Sequence, residues 1–204
     1  MASLHGPAAI LFPATEEHLP ITISSISANN INVNTNCTGC PGLNFTNTST
    51  GVITQSGGSN IVIGNADNMI FNNDGIVNVN TGTIIFRGQG NHTGTFNIPP
   101  SRILRFEQNN GVPQNFNSGS SLQGSGTVGL NSGNTSFNSG CLYAPTLNTV
   151  HLGGTVNWNA PDISINRLRF LRRYFIWNRR IEYSSITLLV GRRMEGQRSN
   201  SIIK

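Results

Sequence analysis

The sequence predicts an all-β chain, and within that class a parallel β-helix, or β-solenoid, in which short strand-and-turn units stack on one another. Three observations carry the prediction. First, 23 of the 204 residues are Gly and 29 are Asn, a quarter of the chain, while charged residues make up 10%. Gly and Asn are poor helix formers, and there is too little Ala, Leu, Glu and Lys to offset them. Second, short runs of β-type residues start about 6 to 12 residues apart through most of the body, too close for a helix between them. That spacing excludes a doubly wound α/β enzyme. Third, one tripeptide, Gly-Thr-apolar, recurs through the chain. The hydrophobic fraction of 36% argues against charge-driven disorder, and the length fits one domain with a core.

The runs can be taken in chain order. Ile21-Thr22-Ile23 and Ile31-Asn32-Val33 open the series, and Ile61-Val62-Ile63, Ile76-Val77-Asn78-Val79 and Thr83-Ile84-Ile85-Phe86 continue it. Thr95-Phe96-Asn97-Ile98 and Ile103-Leu104-Arg105-Phe106 follow, then Val128-Gly129-Leu130, Val150-His151-Leu152 and Val156-Asn157-Trp158. Most read apolar-polar-apolar, the period of two of a strand with one face in a core. The tripeptide stands at Gly82-Thr83-Ile84, Gly94-Thr95-Phe96, Gly126-Thr127-Val128 and Gly154-Thr155-Val156. Gly permits the sharp turn, Thr favours extended backbone and the apolar residue enters the core. Units so short and interchangeable suit coils that are stable only against their neighbours. Asn at corresponding turns can then form hydrogen-bonded ladders. An antiparallel β-sandwich is the competing fold.

Gly153-Gly154-Thr155, Gly124-Ser125-Gly126-Thr127 and the alternating strands around them resemble the repetitive right-handed parallel β-helix segments of large adhesin-like surface proteins. The resemblance spans about residues 45–160. It implies an extracellular or cell-surface segment that displays or spaces other domains, with glycans or other surface proteins as partners.

Charge divides the chain. Residues 1–161 hold three basic and five acidic side chains, a net of −2, and residues 162–204 hold ten and three, a net of +7. Twelve of the 13 basic residues are Arg, and only Gly191 and Gly196 of the glycines lie in the second segment. The expected organisation is an irregular segment over 1–20, a repeat-built solenoid over 21–161 and an Arg-rich tail over 162–204. Read one base later, residues 169–183 can encode Gly-Phe-Ser-Gly-Gly-Thr-Leu-Ser-Gly-Thr-Gly-Gly-Leu-Asn-Thr, and Trp177-Asn178 must then encode Gly. The tail from about Asn166 is therefore expected to be a frameshifted reading of further repeats, the whole an incomplete or frameshifted gene product. Taken literally, Leu168, Leu171, Phe175 and Ile176 among Arg167, Arg172, Arg173, Arg179 and Arg180 form a basic amphipathic helix, or else an irregular solvated tail. A near-neutral body predicts no specific nucleic-acid partner. No run reaches the roughly 18 apolar residues of a membrane helix. Ala8-Ala9-Ile10-Leu11-Phe12 is too short for a signal-peptide core, which points to a start upstream of Met1.

Candidate chemistry is sparse. Cys37-Thr38-Gly39-Cys40 has the CxxC form but neither a βα context nor a second ligand pair, so a Cys37–Cys40 disulfide or plain thiols are expected rather than a metal site. Cys141 makes the count odd. His5, His18, His92 and His151 show no metal-ligand spacing. Asn36, Asn44, Asn47, Asn91 and Asn134 fit the Asn-x-Ser/Thr glycosylation pattern, which so Asn-rich a chain also generates by chance. Polysaccharide-cleaving β-helix enzymes use clustered carboxylates, Ca²⁺ and basic residues. The body offers Asp67, Asp74 and Glu107 with Arg87, Arg102 and Arg105; Arg105 and Glu107 read as a solvent-facing ion pair. Thr-x-Thr pairs at 46–48, 48–50 and 81–83, the mark of an ice- or carbohydrate-binding face, do not recur at a fixed interval. The expectation is a structural or adhesive spacer, not an enzyme, with no metal or cofactor; the alternative is a carbohydrate-binding or polysaccharide-cleaving protein.

Overall fold

The computed structural model describes residues 2–5, 9–12, 23–27, 31–35, 43–58, 60–64, 69–108, 112–161, 163–165, 167–170, 182–183 and 186–188. Among them every element is a strand and every strand pairing is parallel. The chain passes from sheet 1 to sheet 2 to sheet 3 and returns, one strand per sheet in each coil. Five complete coils run from Val52–Gln55 to Thr155–Trp158. Sheet 1 stacks Ala2–His5, Ile23–Ser27, Val52–Gln55, Ile76–Val79, Thr95–Ile98, Ser121–Gly124 and Leu142–Tyr143. Sheet 2 stacks nine strands from Ala9–Phe12 to Ile186–Leu188, and sheet 3 stacks six from Leu43–Asn47 to Thr155–Trp158. This is a β-solenoid. Two facing antiparallel layers, the competing fold, are excluded by the parallel register.

Coil length varies. In sheet 1 Val52 pairs with Ile76, Ile76 with Thr95, Thr95 with Ser121 and Ser121 with Leu142, steps of 24, 19, 26 and 21 residues. Corner loops absorb the differences, so no fixed period exists in the sequence. The Gly-Thr-apolar tripeptide enters sheet 2 at Gly82 and Gly126, sheet 1 at Gly94 and sheet 3 at Gly154. It marks corners rather than coils. At the corner between sheets 3 and 1, Gly51, Gly75 and Gly94 stack, with Ile76 N–H donating to Gly51 O at 2.9 Å and Thr95 N–H to Gly75 O at 2.8 Å. A Cβ on Gly75 would run into the Gly51 carbonyl, and one on Gly94 into the Gly75 carbonyl, so no larger residue fits there.

The core is a set of columns along the coil axis. Sheet 1 contributes Ile53, Val77, Phe96, Leu122 and Tyr143, and sheet 2 contributes Ile61, Ile84, Leu104, Val128, Thr149 and Leu168. Aromatic rings stack between coils: Phe71–Phe86 at 4.8 Å, Phe86–Phe106 at 5.6 Å, Phe116–Phe137 at 4.9 Å and Phe137–Trp158 at 4.4 Å. Each fully buried Phe contributes about 2–3 kcal/mol of transfer free energy.

Beyond Pro161, Arg167–Phe170 pairs with Asn148–His151, and Ile186–Leu188 pairs in turn with Arg167–Phe170. Ile163, Ile165 and Leu168 are buried in the core. The described part of the segment read as an irregular or helical tail is therefore strand. Arg167-Leu168-Arg169 alternates with period two, and that alternation places Leu168 inside and both arginines outside. Asn166, the residues of the amphipathic-helix reading from Leu171 to Arg180, and most of the stretch expected to be frameshifted lie outside the described residues.

Candidate functional site

With the apolar columns inside, function must lie on the outer faces, the corners or the polar interior. Polar side chains at equivalent positions of successive coils bond to one another. On sheet 3, Asn72 Nδ2 donates to Asn44 Oδ1 at 3.1 Å, Asn115 to Asn91 at 3.0 Å and Asn157 to Ser136 Oγ at 3.1 Å. On sheet 1, Asn78 donates to Thr54 Oγ1 at 3.2 Å and Asn97 to Asn78 Oδ1 at 2.8 Å. At the corner after sheet 3, Asn138 donates to Asn117 and Asn159 to Asn138, both at 3.0 Å. These amides tie coil to coil, and doing so consumes much of the capacity that a ligand could otherwise use.

The interior of sheet 3 is partly polar, which the sequence did not announce. Asn47, Asn73 and His92 occupy the inward column that Phe116, Phe137 and Trp158 continue. Asn47 Nδ2 donates to Asn73 Oδ1 at 2.7 Å and to Ile76 O at 3.1 Å. Asn73 N–H donates to His92 Nδ1 at 3.2 Å, so the ring proton sits on Nε2 and is donated to Gln114 Oε1, while Gln114 Nε2 donates to Gly88 O at 2.8 Å. Burial lowers the His92 pKa to about 4, with the Gln114 bond and Asp74 opposing the shift. His92 is neutral and structural. The repeated Phe-x-Asn at 45–47 and 71–73 was its visible trace in the sequence.

The predicted charged residues separate. Arg87 Nη2 lies 3.3 Å from Glu107 Oε2, and Arg105 Nη1 lies 3.2 Å from Glu107 Oε1. Asn131 Nδ2 adds a bond to Glu107 Oε1 at 3.0 Å. The expected Arg105–Glu107 pair is present, with Arg87 as a second partner. Asp74 sits at the corner between sheets 3 and 1, accepting from Thr93 Oγ1 at 2.7 Å, whereas Glu107 ends a sheet 2 strand. Glycoside hydrolysis by an acid–base pair needs two carboxyl groups facing across one cleft. Asp74 and Glu107 do not provide that arrangement. Asp67 lies outside the described residues.

Of the glycosylation candidates, Asn47 is fully buried with its amide nitrogen committed, so a glycan there is incompatible with the fold. Asn91 is exposed, Asn44 and Asn134 are half-buried, and Asn36 lies outside the described residues, as do Cys37 and Cys40. Cys141 is a free, buried thiol whose pKa burial raises, the opposite of an activated nucleophile. It lines an open groove of about 390 Å³ together with the exposed Leu142. Among the described residues no three His, Cys, Asp or Glu gather around one point, and no helix is long and apolar enough to cross a membrane. The chain matches no family model, no curated protein and no solved structure.

Proposed function

We propose that this chain is a structural or adhesive spacer of an extracellular or cell-surface protein and does not catalyse a reaction. One observation carries the reading: many polar side chains of the solenoid are spent on bonds to the next coil, and among the described residues no three His, Cys, Asp or Glu converge. The side-chain amides of Asn117, Asn138 and Asn159 bond along the stack. Glu107, the carboxylate on sheet 2, is held between two guanidinium groups. Such a chain gains length by adding coils, at about 4.8 Å for each strand added to a sheet. An extracellular setting accords with the adhesin-like resemblance and with the near-absence of charge from the body.

The test is turnover. The full chain, incubated with a panel of neutral and acidic polysaccharides, should release no new reducing ends and no unsaturated products. Release that disappears in Glu107→Gln or Asp74→Asn would overturn the proposal in favour of a polysaccharide-cleaving protein.

A further inference from the structure

The charges of the solenoid are sorted by face. All five described arginines, Arg87, Arg102, Arg105, Arg167 and Arg169, stand on sheet 2 or on the residues bounding its strands, and Glu107 is the one described carboxylate beside them. Asp74 is at the corner between sheets 3 and 1, and Glu182 is on the short strand that pairs with Ser164–Ile165, outside sheet 2. Sheet 2 therefore carries a cationic outer face on a body that is otherwise acidic. Its outward row reads Val62, Ile85, Arg105, Gly129, Val150, Arg169. Arg105 and Arg169 are three strands apart in that row, about 14 Å along the coil axis. Arg167 is exposed and donates to Asn148 Oδ1 at 3.1 Å, while Arg169 is exposed and makes no ion pair among the described residues. At Gly129 the row has no side chain, and the Arg105 stem lies across the gap: a Cβ there would meet Arg105 Cγ at 3.3 Å.

We propose that the outer face of sheet 2 binds an acidic polysaccharide, a chain of sugars bearing carboxylate or sulfate groups, laid along the coil axis. The proposal gives a ligand to the adhesive half of the reading above and rests on it. Guanidinium groups grip planar or tetrahedral oxyanions through paired N–H donors. Arg105 and Arg169 in the outward row, with Arg87, Arg102 and Arg167 beside it, spread such donors along the coil axis for an extended polyanion. The half-buried Val62, Ile103 and Val150 on the same face give apolar contact for sugar C–H faces. Single-stranded nucleic acid is disfavoured because the described aromatic rings stack inside the core and offer no platform for bases. An anionic membrane is disfavoured because, among the described residues, no exposed large apolar side chain stands on sheet 2; Ile76 and Leu142 are on sheet 1.

The experiment measures binding of the full chain to polygalacturonate and to heparin, with duplex DNA and anionic phospholipid vesicles in parallel, at two salt concentrations. The double substitution Arg167→Gln/Arg169→Gln should weaken polysaccharide binding at least tenfold and shallow its salt dependence by about two released counterions. Glu107→Gln, which frees Arg87 and Arg105, should strengthen it severalfold. Substituting Arg192, Arg193 and Arg198 with Gln should change it less than twofold. Unchanged thermal melting in the double variant shows that the fold is retained, and Arg167→Lys/Arg169→Lys should restore part of the affinity. The proposal is overturned if neither polysaccharide binds, if only the 192–198 substitutions abolish binding, or if DNA or vesicles bind as tightly through the same residues. None of those outcomes bears on turnover, so the spacer reading is judged separately.

Discussion

His92 concentrates the residue-scale physics of this protein. It stands in a column that elsewhere holds Asn or aromatic rings, and it meets both needs: its ring packs at 4.9 Å from Phe116 and 5.1 Å from Phe96 while its nitrogens join the amide network. That position tolerates only the neutral form. The ordinary imidazole pKa is 6.5, and burial lowers it to about 4 in the fold. Between those values the unfolded chain binds a proton that the folded chain does not. The contribution is therefore complete above about pH 6.5 and is lost as pH falls toward 4, by about 3 kcal/mol in all. His151, whose pKa burial also lowers, acts in the same direction. Urea unfolding midpoints taken from pH 7 to pH 4 should fall accordingly, and His92→Gln, which bonds without titrating, should flatten most of that fall. A wild-type midpoint that stays level would show that His92 is not the buried neutral group described.

At the scale of elements, the amide ladders and the sheet 3 strands share one cause. Asn138 accepts from Asn159 and donates to Asn117, whereas Asn159 contributes only one of those ladder bonds. With a net worth of about 1 kcal/mol per bond, Asn138→Ala should cost about 2 kcal/mol and Asn159→Ala about half of that. Chemical denaturation of the two single variants and the double variant reads both the costs and their coupling; equal costs would dismiss the ladder. The same bonding explains which strands could be read in advance. Runs such as Thr95–Ile98 and Ile103–Glu107 alternate apolar and polar because sheets 1 and 2 bury apolar side chains there. Leu43–Asn47, Pro113–Phe116 and Asn134–Phe137 escaped, because their inward positions include Asn47, Gln114 and Thr135, buried polar groups with partners that include side chains and backbone of neighbouring coils. Gly90–His92, with its buried imidazole, escaped for the same reason. A period-two hydrophobic pattern cannot reveal a polar interior whose partners lie some 20 residues away. The charged residues were legible as types but not as a cluster, since Arg87 meets Glu107 only once the coil length sets them side by side.

For the whole molecule, the decisive property is that each coil is stabilised by its two neighbours and by little else. Stability then behaves as a sum of coil terms and interface terms, and the number of coils is adjustable. Residues 121–141 form one such unit, because Ser121 pairs with Leu142 one strand on. Duplicating those 21 residues would stack like on like: Leu122 on Leu122 and Val128 on Val128 inside, Phe137 on Phe137, and Asn138 on Asn138 at the corner. Every new interface repeats a type already present, including the Phe116–Phe137 ring stack. The lengthened chain should fold, melt at or above the parent temperature, and gain about 4.8 Å in maximum dimension by solution scattering. A chain held together by one specific, irreplaceable core would instead lose cooperativity when a coil is inserted. A broadened melt with no gain in length would therefore refute both the additive account of stability and the spacer role that depends on it.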